Sequence, residues 1–274
     1  MSKLVQMQSC CVLVAAAAAT NCQADYTNGY AHFGAQSDTI QILGNTIFNS
    51  GAFTYEMQIR LAPGAPIGQV ISEQRDTYED KTLRLGADGS YTASGSASSP
   101  LGHNQGQLNN VPTEQWFHLA YVYDGTYAKL YVNGALSASH ITTGVYGDHS
   151  GSWMSIGMFR YGAGWGATPA YSSFLGDLDW IHVSAGAKYT SDFVAPEESQ
   201  ISANSSTQLL LKFNEAAGTS VLYDESASHF VCNLGVAVSP GVIATSPTLG
   251  NVVPGPAASG MLVLCGLLRR RRRS

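Results

Sequence analysis

Carboxylates give this chain its widest choice of chemistry, because two held close across a glycosidic bond would make a retaining hydrolase. Their spacing argues against that. Glu56 stands alone on its strand among Thr54, Gln58 and Arg60, while Glu73 with Asp76 and Glu79 with Asp80 fall in a loop and cannot line one face by alternation. Ser-His-Asp chemistry has histidines to draw on, but no Gly-x-Ser-x-Gly elbow is present. His32, His118 and His182 lie in predicted strands, where a hydrogen-bonded structural role is the commoner one. Asp38 shares the parity of Ile40 and Ile42, and Asp179 that of Ile181 and Val183, so each would begin an inward-facing apolar row. Such a carboxylate is costly to bury unless backbone N–H groups cap onto it or a cation sits beside it. Both readings stand for both aspartates.

A second constellation could bind rather than react. Tyr146, Trp153, Tyr161, Trp165 and Tyr171 are interleaved with Gly147, Gly151, Gly162, Gly164 and Gly166. Ring faces stacked on sugars, with Asp148, His149 or Arg160 as hydrogen-bond partners, would form a glycan platform on loops. The alternative is that each ring plugs the edge of the fold, which suits Trp153. Trp165, in Gly-Ala-Gly-Trp-Gly-Ala, has the setting of an exposed ring.

The elements that must position these residues are strands. From Trp116 to Tyr123 every residue suits a pleated strand, with Trp116, His118, Ala120 and Val122 on one face and Phe117, Leu119, Tyr121 and Tyr123 on the other. Asp124-Gly125 offers a turn, 129–132 returns, and Asn133-Gly134 is a strong hairpin signal. Residues 53–61 alternate throughout, Phe53, Tyr55, Met57, Ile59 and Leu61 inward and Thr54, Glu56, Gln58 and Arg60 outward. Further strands are predicted near 40–43, 69–73, 82–85, 91–93, 136–140, 153–158, 175–184 and 208–213, separated by Gly, Pro, Asn and Asp clusters. Helical periodicity is nearly absent, and the 274 residues are low in charge and rich in Gly and Tyr. The fold class is all-β, an antiparallel two-sheet sandwich.

The ends read as processing signals. Residues 1–24 hold an early cation, Lys3, an apolar run from Cys11 to Ala19 and a small residue, Ala24, before Asp25, the pattern of a secretory signal peptide. At the other end a Pro motif, an apolar run and the block Arg269 to Arg273 follow one another. The apolar part is short for a spanning helix, and the arginines would keep that end cytoplasmic. Residues 251–274 resemble the bacterial PEP-CTERM sorting signal, with Val253-Pro254-Gly255-Pro256 where the family has Val-Pro-Glu-Pro; Gly255 replaces its glutamate. The resemblance implies membrane contact only in transit, removal of the tail by a sorting transpeptidase, and a mature protein at the cell envelope or outside the cell. Residues 226–250 read as a spacer before that tail.

Residues 25–250 keep 8 Lys and Arg against 19 Asp and Glu, a net charge of −11. That disfavours nucleic acid and anionic membranes, and suits a divalent cation or a neutral polymer. Cys232 is the one cysteine left between the two end segments, which excludes a disulfide framework there and reads as a small buried hydrophobe.

Trp116-Phe-His-Leu-Ala-Tyr-Val-Tyr-Asp-Gly-Thr with Lys129-Leu-Tyr-Val-Asn-Gly134 resembles the core motif of LamG-like domains of the concanavalin A-like lectin/glucanase jelly rolls. Ala31 to Ile42 is similar to the family's opening strand, Met154-Ser-Ile-Gly157 to a short glycine-ended strand, and Phe174 to Val183 to its closing strand. Residues 209–226 resemble a segment that many relatives place before the jelly roll, and its position after it here implies extra strands. The domain is therefore drawn as 25–225. The resemblance implies a structural Ca²⁺, held by Asp179, with Asp38 a weaker candidate, and by backbone carbonyls near Gly51; oxygen ligands are what that ion prefers. The family's glucanases carry Glu-x-Asp-x-Glu on one strand, which this chain lacks. The expected function is a non-catalytic polysaccharide-binding or adhesion module, with Tyr146, Asp148, Arg160, Tyr161, Trp165 and Tyr171 as ligand residues. A structural matrix component without a discrete ligand site is the alternative, and a glycoside hydrolase or lyase of the same fold the third reading.

Overall fold

The computed structural model describes residues 29–35, 37–43, 51–75, 78–94, 103–141, 153–157, 172–235 and 246–251. Seventeen strands are described: β1 (Gly29–Phe33), β2 (Thr39–Leu43), β3 (Phe53–Leu61), β4 (Gly68–Arg75), β5 (Tyr78–Leu85), β6 (Ser90–Ser94), β7 (His103–Gln107), β8 (Phe117–Tyr123), β9 (Tyr127–Val132), β10 (Ala135–Ile141), β11 (Trp153–Gly157), β12 (Ser172–Ser173), β13 (Gly176–Ala185), β14 (Thr207–Leu211), β15 (Val221–Tyr223), β16 (Val231–Leu234) and β17 (Thr248–Asn251). One 3-10 turn, Glu198–Gln200, is the helical element among the described residues.

They form two sheets. An eight-stranded one runs β10-β9-β8-β3-β13-β1-β17, with β14 also on β13. A nine-stranded one runs β15-β16-β2-β11-β4-β5-β6-β7, with β12 on β4. All pairings are antiparallel except β12 with β4. The inward rows of both sheets interlock in one apolar core containing Phe53, Tyr55, Met57, Ile59 and Leu61 of β3, Phe117, Leu119, Tyr121 and Tyr123 of β8, and Ile40, Ile156, Ile71 and Leu83 from the facing sheet. This is the predicted alternation, and the fold is the expected antiparallel two-sheet sandwich.

The Asn133-Gly134 hairpin has positive φ at both central residues, 50° and 80°, the primed turn that suits strand twist. Asn133 does more than turn. Its Oδ1 accepts from the His118 N–H (2.9 Å), and its own N–H donates to the His118 carbonyl (2.8 Å), tying the hairpin back to the start of β8. Part of the span expected as a spacer is sheet instead: β16 pairs with β2, and β17 lies along β1 with Asn251 opposite Gly29. Weak hydropathy hid these strands because each is short and lies near a sheet edge. Cys232 is a buried free thiol in β16; burial pushes its pKa up, and Asp224 and Glu215 add to the shift.

Candidate functional site

The outward faces of the two sheets differ in kind. On the eight-stranded sheet, Thr54 and Glu56 of β3, His118 of β8 and His182 and Ser184 of β13 point away from the core, as their parity predicts, yet all are buried. Residues 186–201 cross this face. Ala187, Tyr189 and Phe193 pack on Ala120, Val122 and Tyr131, and Ile201 packs on Trp180 with Leu210. Tyr189 and Phe193 stack, ring centroids 3.5 Å apart, and Phe193 stands edge-on to His118 at 5.6 Å.

Glu56, with no exposed surface, is the polar centre of that face. Its Oε1 takes hydrogen bonds from His182 Nδ1 (2.8 Å) and Lys188 Nζ, and its Oε2 one from the Tyr189 hydroxyl (2.6 Å). His118 Nε2 lies 3.6 Å from Oε2. Burial alone would raise the Glu56 pKa, but the two histidines and the Lys188 ammonium outweigh it and hold the carboxyl well below the usual range. The Tyr189 hydroxyl shifts the other way, upward, through burial and its carboxylate partner. His182 Nε2 lies 2.9 Å from Thr207 Oγ1 and 3.2 Å from Ser184 Oγ. A hydroxyl, an imidazole and a carboxylate in line is the outline of a nucleophilic triad, but all are closed to solvent under the crossing segment, so here they anchor it. The sequence separates Glu56 from Lys188 by 132 residues, which is why no local pattern announced the cluster.

On the nine-stranded sheet the outward row is polar and largely buried as well, but none of the three hydrophobic clusters among the described residues covers it; they lie in the core or on the other face. Register places Gln41 opposite Ser155 and Ser155 opposite Ser72, and Ser72 and Thr82 hydroxyls meet at 3.0 Å. A parallel row runs Gln69, Arg84, Thr92, Gln105. Arg84 Nε donates to Gln69 Oε1 (3.2 Å), fixing the guanidinium against the sheet. Ser155 is only 1% exposed and its hydroxyl has no hydrogen-bond partner. A buried hydroxyl left unpaired costs on the order of 1–3 kcal/mol, so this face holds unused hydrogen-bonding capacity. In the sequence, β11, which carries Ser155, falls between residues 142–152 and 158–171, which hold the remaining sequence-predicted aromatics. Tyr146, Asp148, Arg160, Tyr161, Trp165 and Tyr171 themselves lie outside the described residues.

The expected calcium ligands do not converge. Asp38 Oδ2 accepts the N–H groups of Gly34 and Ala35, both at 2.8 Å, as part of the turn between β1 and β2. Gly51 is exposed, next to the start of β3. Since Ala185 faces Phe53 and Leu178 faces Ile59, Asp179 is about 20 Å from that end at the rise of an extended strand. Asp179 also departs from the predicted parity, because a bulge between Leu178 and Trp180 inserts it into β13. Leu178 and Ile181 both reach the core, while Trp180 joins the outer cluster. Among the described residues no group of three His, Cys, Asp or Glu side chains gathers as metal ligands. What does gather is a pair. Asp179 lies near Glu198 of the 3-10 turn, and burial together with the Glu198 charge pushes its pKa up to about 7. Glu198 is raised too, by burial and then Glu225, against the lowering effects of Asn214 and Lys212. Asp179 Oδ1 and Glu198 Oε2 are both buried and lack a partner. Two orphaned carboxylate oxygens fit a hard cation.

Residues 33–192, more than half of the chain, match the family model described as the concanavalin A-like lectin/glucanases superfamily. The chain belongs to this superfamily. A candidate carbohydrate binding protein from Bacteroides ovatus superposes on this lectin/glucanase-type chain with a TM-score of 0.55 at 17% identity, covering 83% of this chain and 60% of the other; the likeness is one of fold. The chain thus spans 60% of that protein's length. The heptameric SAP-like pentraxin of Limulus polyphemus matches with a TM-score of 0.46 at 18% identity, over 59% of this chain and 77% of that one. CBM40 of the Ruminococcus gnavus IT-sialidase, bound to α2,3 sialyllactose, matches at 0.44 and 13%, over 64% and 96%. No curated protein matches the chain.

Proposed function

We propose that this superfamily member is a non-catalytic carbohydrate-binding module, exported and sorted to the cell envelope, that takes a polysaccharide on the outer face of its nine-stranded sheet. The observation that carries the reading is a polar outer face with no hydrophobic cluster over it among the described residues: one row of Gln41, Ser155, Ser72 and Thr82, buried and with the Ser155 hydroxyl unpaired, and beside it Gln69, Arg84, Thr92 and Gln105, which opens to solvent at Gln105. A chain of sugar hydroxyls supplies both donors and acceptors to such a row without bringing charge, in keeping with the acidic balance of residues 25–250. The flanking loops would add Tyr146, Tyr161, Trp165 and Tyr171 as stacking surfaces, with Asp148 and Arg160 as polar partners. The carbohydrate binding named for the Bacteroides ovatus structure supports the ligand class.

The non-catalytic reading is supported by Glu56, whose two oxygens are both engaged beneath residues 186–201. β17 ends at Asn251, the first residue of the span 251–274, which supports a sorting segment that follows the domain directly. The test is retention of purified residues 25–251 on a panel of immobilised polysaccharides. Saturable retention on one polymer, weakened at least threefold by Trp165→Ala with the fold unchanged, is the expected result. Failure on every polymer by a folded protein would leave the structural-matrix role as the better reading.

A further inference from the structure

We propose that Arg60, Trp116 and Tyr30 form a second glycan site, on the eight-stranded sheet, that takes the carboxylate of an acidic sugar residue. Residues 186–201 seal this face only in part. Phe193 reaches His118 and Ile201 reaches Trp180, but the next row, with His32 opposite Asp177 and Asp177 opposite Arg60, lies outside the covering clusters. Trp116, one residue before β8, continues that row past Arg60, because Ile59 faces Phe117. Solvent meets the cations of the row rather than its carboxylate: the Arg60 and His32 side chains are 35% and 49% exposed, that of Asp177 only 9%.

Local structure fixes the guanidinium. The β13 bulge turns Asp177 outward; without the additional residue it would share the parity of Ile181 and Val183 and face the core. Asp177 Oδ2 accepts the Arg60 Nε–H at 2.7 Å, and its Oδ1 lies 2.7 Å from His32 Nδ1, so both carboxylate oxygens are engaged within the protein. The guanidinium carbon of Arg60 lies 4.8 Å from the Trp116 ring centroid and 5.9 Å from that of Tyr30, and the two rings meet edge-on at 6.1 Å. Tyr30 has room for its ring because the residue opposite is Gly250, where a Cβ would strike it. Held through Nε and by two rings, Arg60 keeps both terminal nitrogens without a partner among the described residues, and these form the fork that matches a planar carboxylate. Lys129, Lys188 and Lys212, by contrast, each end on a carboxylate of the protein itself. A sugar acid suits the site better than a bare anion, since Trp116 and Tyr30 are half-buried and leave apolar ring surface beside the guanidinium for the C–H face of a pyranose. The acidic balance of residues 25–250 opposes an anion at long range, so the affinity is modest and depends on the fixed guanidinium.

The experiment is calorimetric titration of the purified full chain with an oligogalacturonate, with its methyl ester, and with a sulfated dextran oligosaccharide of the same length. The uronate should bind saturably, lose affinity as salt is added, and bind about tenfold or more tightly than its ester, the worth of a charge-assisted hydrogen-bonded pair. Arg60→Gln should weaken uronate binding by about tenfold or more, and Arg60→Lys, which keeps the charge without the fork, by about threefold or more while melting as the wild type does. Tyr30→Leu should weaken it by a smaller factor. The proposal is overturned by a wild type that does not bind the uronate, by equal affinity for uronate and ester, or by binding that survives Arg60→Gln. Tighter binding of the sulfated oligosaccharide would overturn the carboxylate assignment. Uronate binding lost in Ser155→Ala would place the ligand on the other sheet. Failure here leaves the proposed polysaccharide face of the nine-stranded sheet standing, because the two sites share no residue.

Discussion

The two outer faces of the sandwich are built from the same alternation and put to opposite use. On the eight-stranded sheet the outward residues Glu56, His118 and His182 are sealed beneath 186–201. On the nine-stranded sheet Gln41, Ser155 and Thr82 also face outward and are also buried, but no hydrophobic cluster among the described residues lies over them. The first face has made a charge cluster into an anchor. The second keeps a hydroxyl whose hydrogen bond is unmade. Outward polarity on a strand therefore says little about function until it is known what lies over it.

The comparison breaks most readily at Glu56. Replacing it with Ala removes the acceptor for Lys188, Tyr189 and His182 at once. Breaking a buried pair costs about 3–5 kcal/mol, and the loss should appear in denaturant melts together with protease cleavage within 186–201. A loss below about 1 kcal/mol would mean that the rings of Tyr189 and Phe193 hold the segment unaided.

A smaller loss is expected at the hairpin. Phe193 N–H donates to the Gly134 carbonyl (2.9 Å), and Gly134 has φ of 80°. A Cβ there would strike the Phe193 carbonyl, so Gly134→Ala should destabilise by about 1–3 kcal/mol through strain and loosened docking. Gly125→Ala supplies the control. It also has positive φ but meets nothing within 4 Å, and should cost about 1 kcal/mol. Equal losses at the two glycines would show that docking on the hairpin contributes little.

Acid sharpens the same contrast. Because the folded-state pKa of Glu56 is depressed, its stabilisation is fully present above the ordinary value near 4.5 and fades as pH falls below it. The stability gap between wild type and Glu56→Gln should hold steady from pH 7 to 5 and narrow toward pH 3. A gap that does not narrow would place the contribution of Glu56 in its shape rather than its charge.

Much of this was legible in advance, and the reason is local. Residues 53–61 and 116–134 carry their own alternation and turn chemistry, so strand faces, hairpin and fold class follow from nearest neighbours. What escaped depended on distant partners or on broken periodicity. The Asp179 bulge reversed a parity that strict alternation assigned to the core. Lys188, Tyr189 and Glu198 bear no pattern that ties them to β3 or β13. The nearest available signal was Glu56 itself, a lone acid on a strong strand, which needs a partner wherever the face is covered.

The smallest loss of stability belongs to the most informative substitution. Ser155→Ala deletes a hydroxyl that makes no hydrogen bond within the protein, so the melting temperature should not fall and should rise by the equivalent of about 1–3 kcal/mol at most. Polysaccharide retention should nevertheless fall several-fold if sugar hydroxyls complete that bond. Glu56→Gln gives the converse pattern, a less stable protein whose retention, measured well below its melting point, is unchanged. If Ser155→Ala leaves retention intact while Trp165→Ala abolishes it, the ligand is held by residues 146–171 outside β11, and the buried polar row of the nine-stranded sheet takes no part in binding.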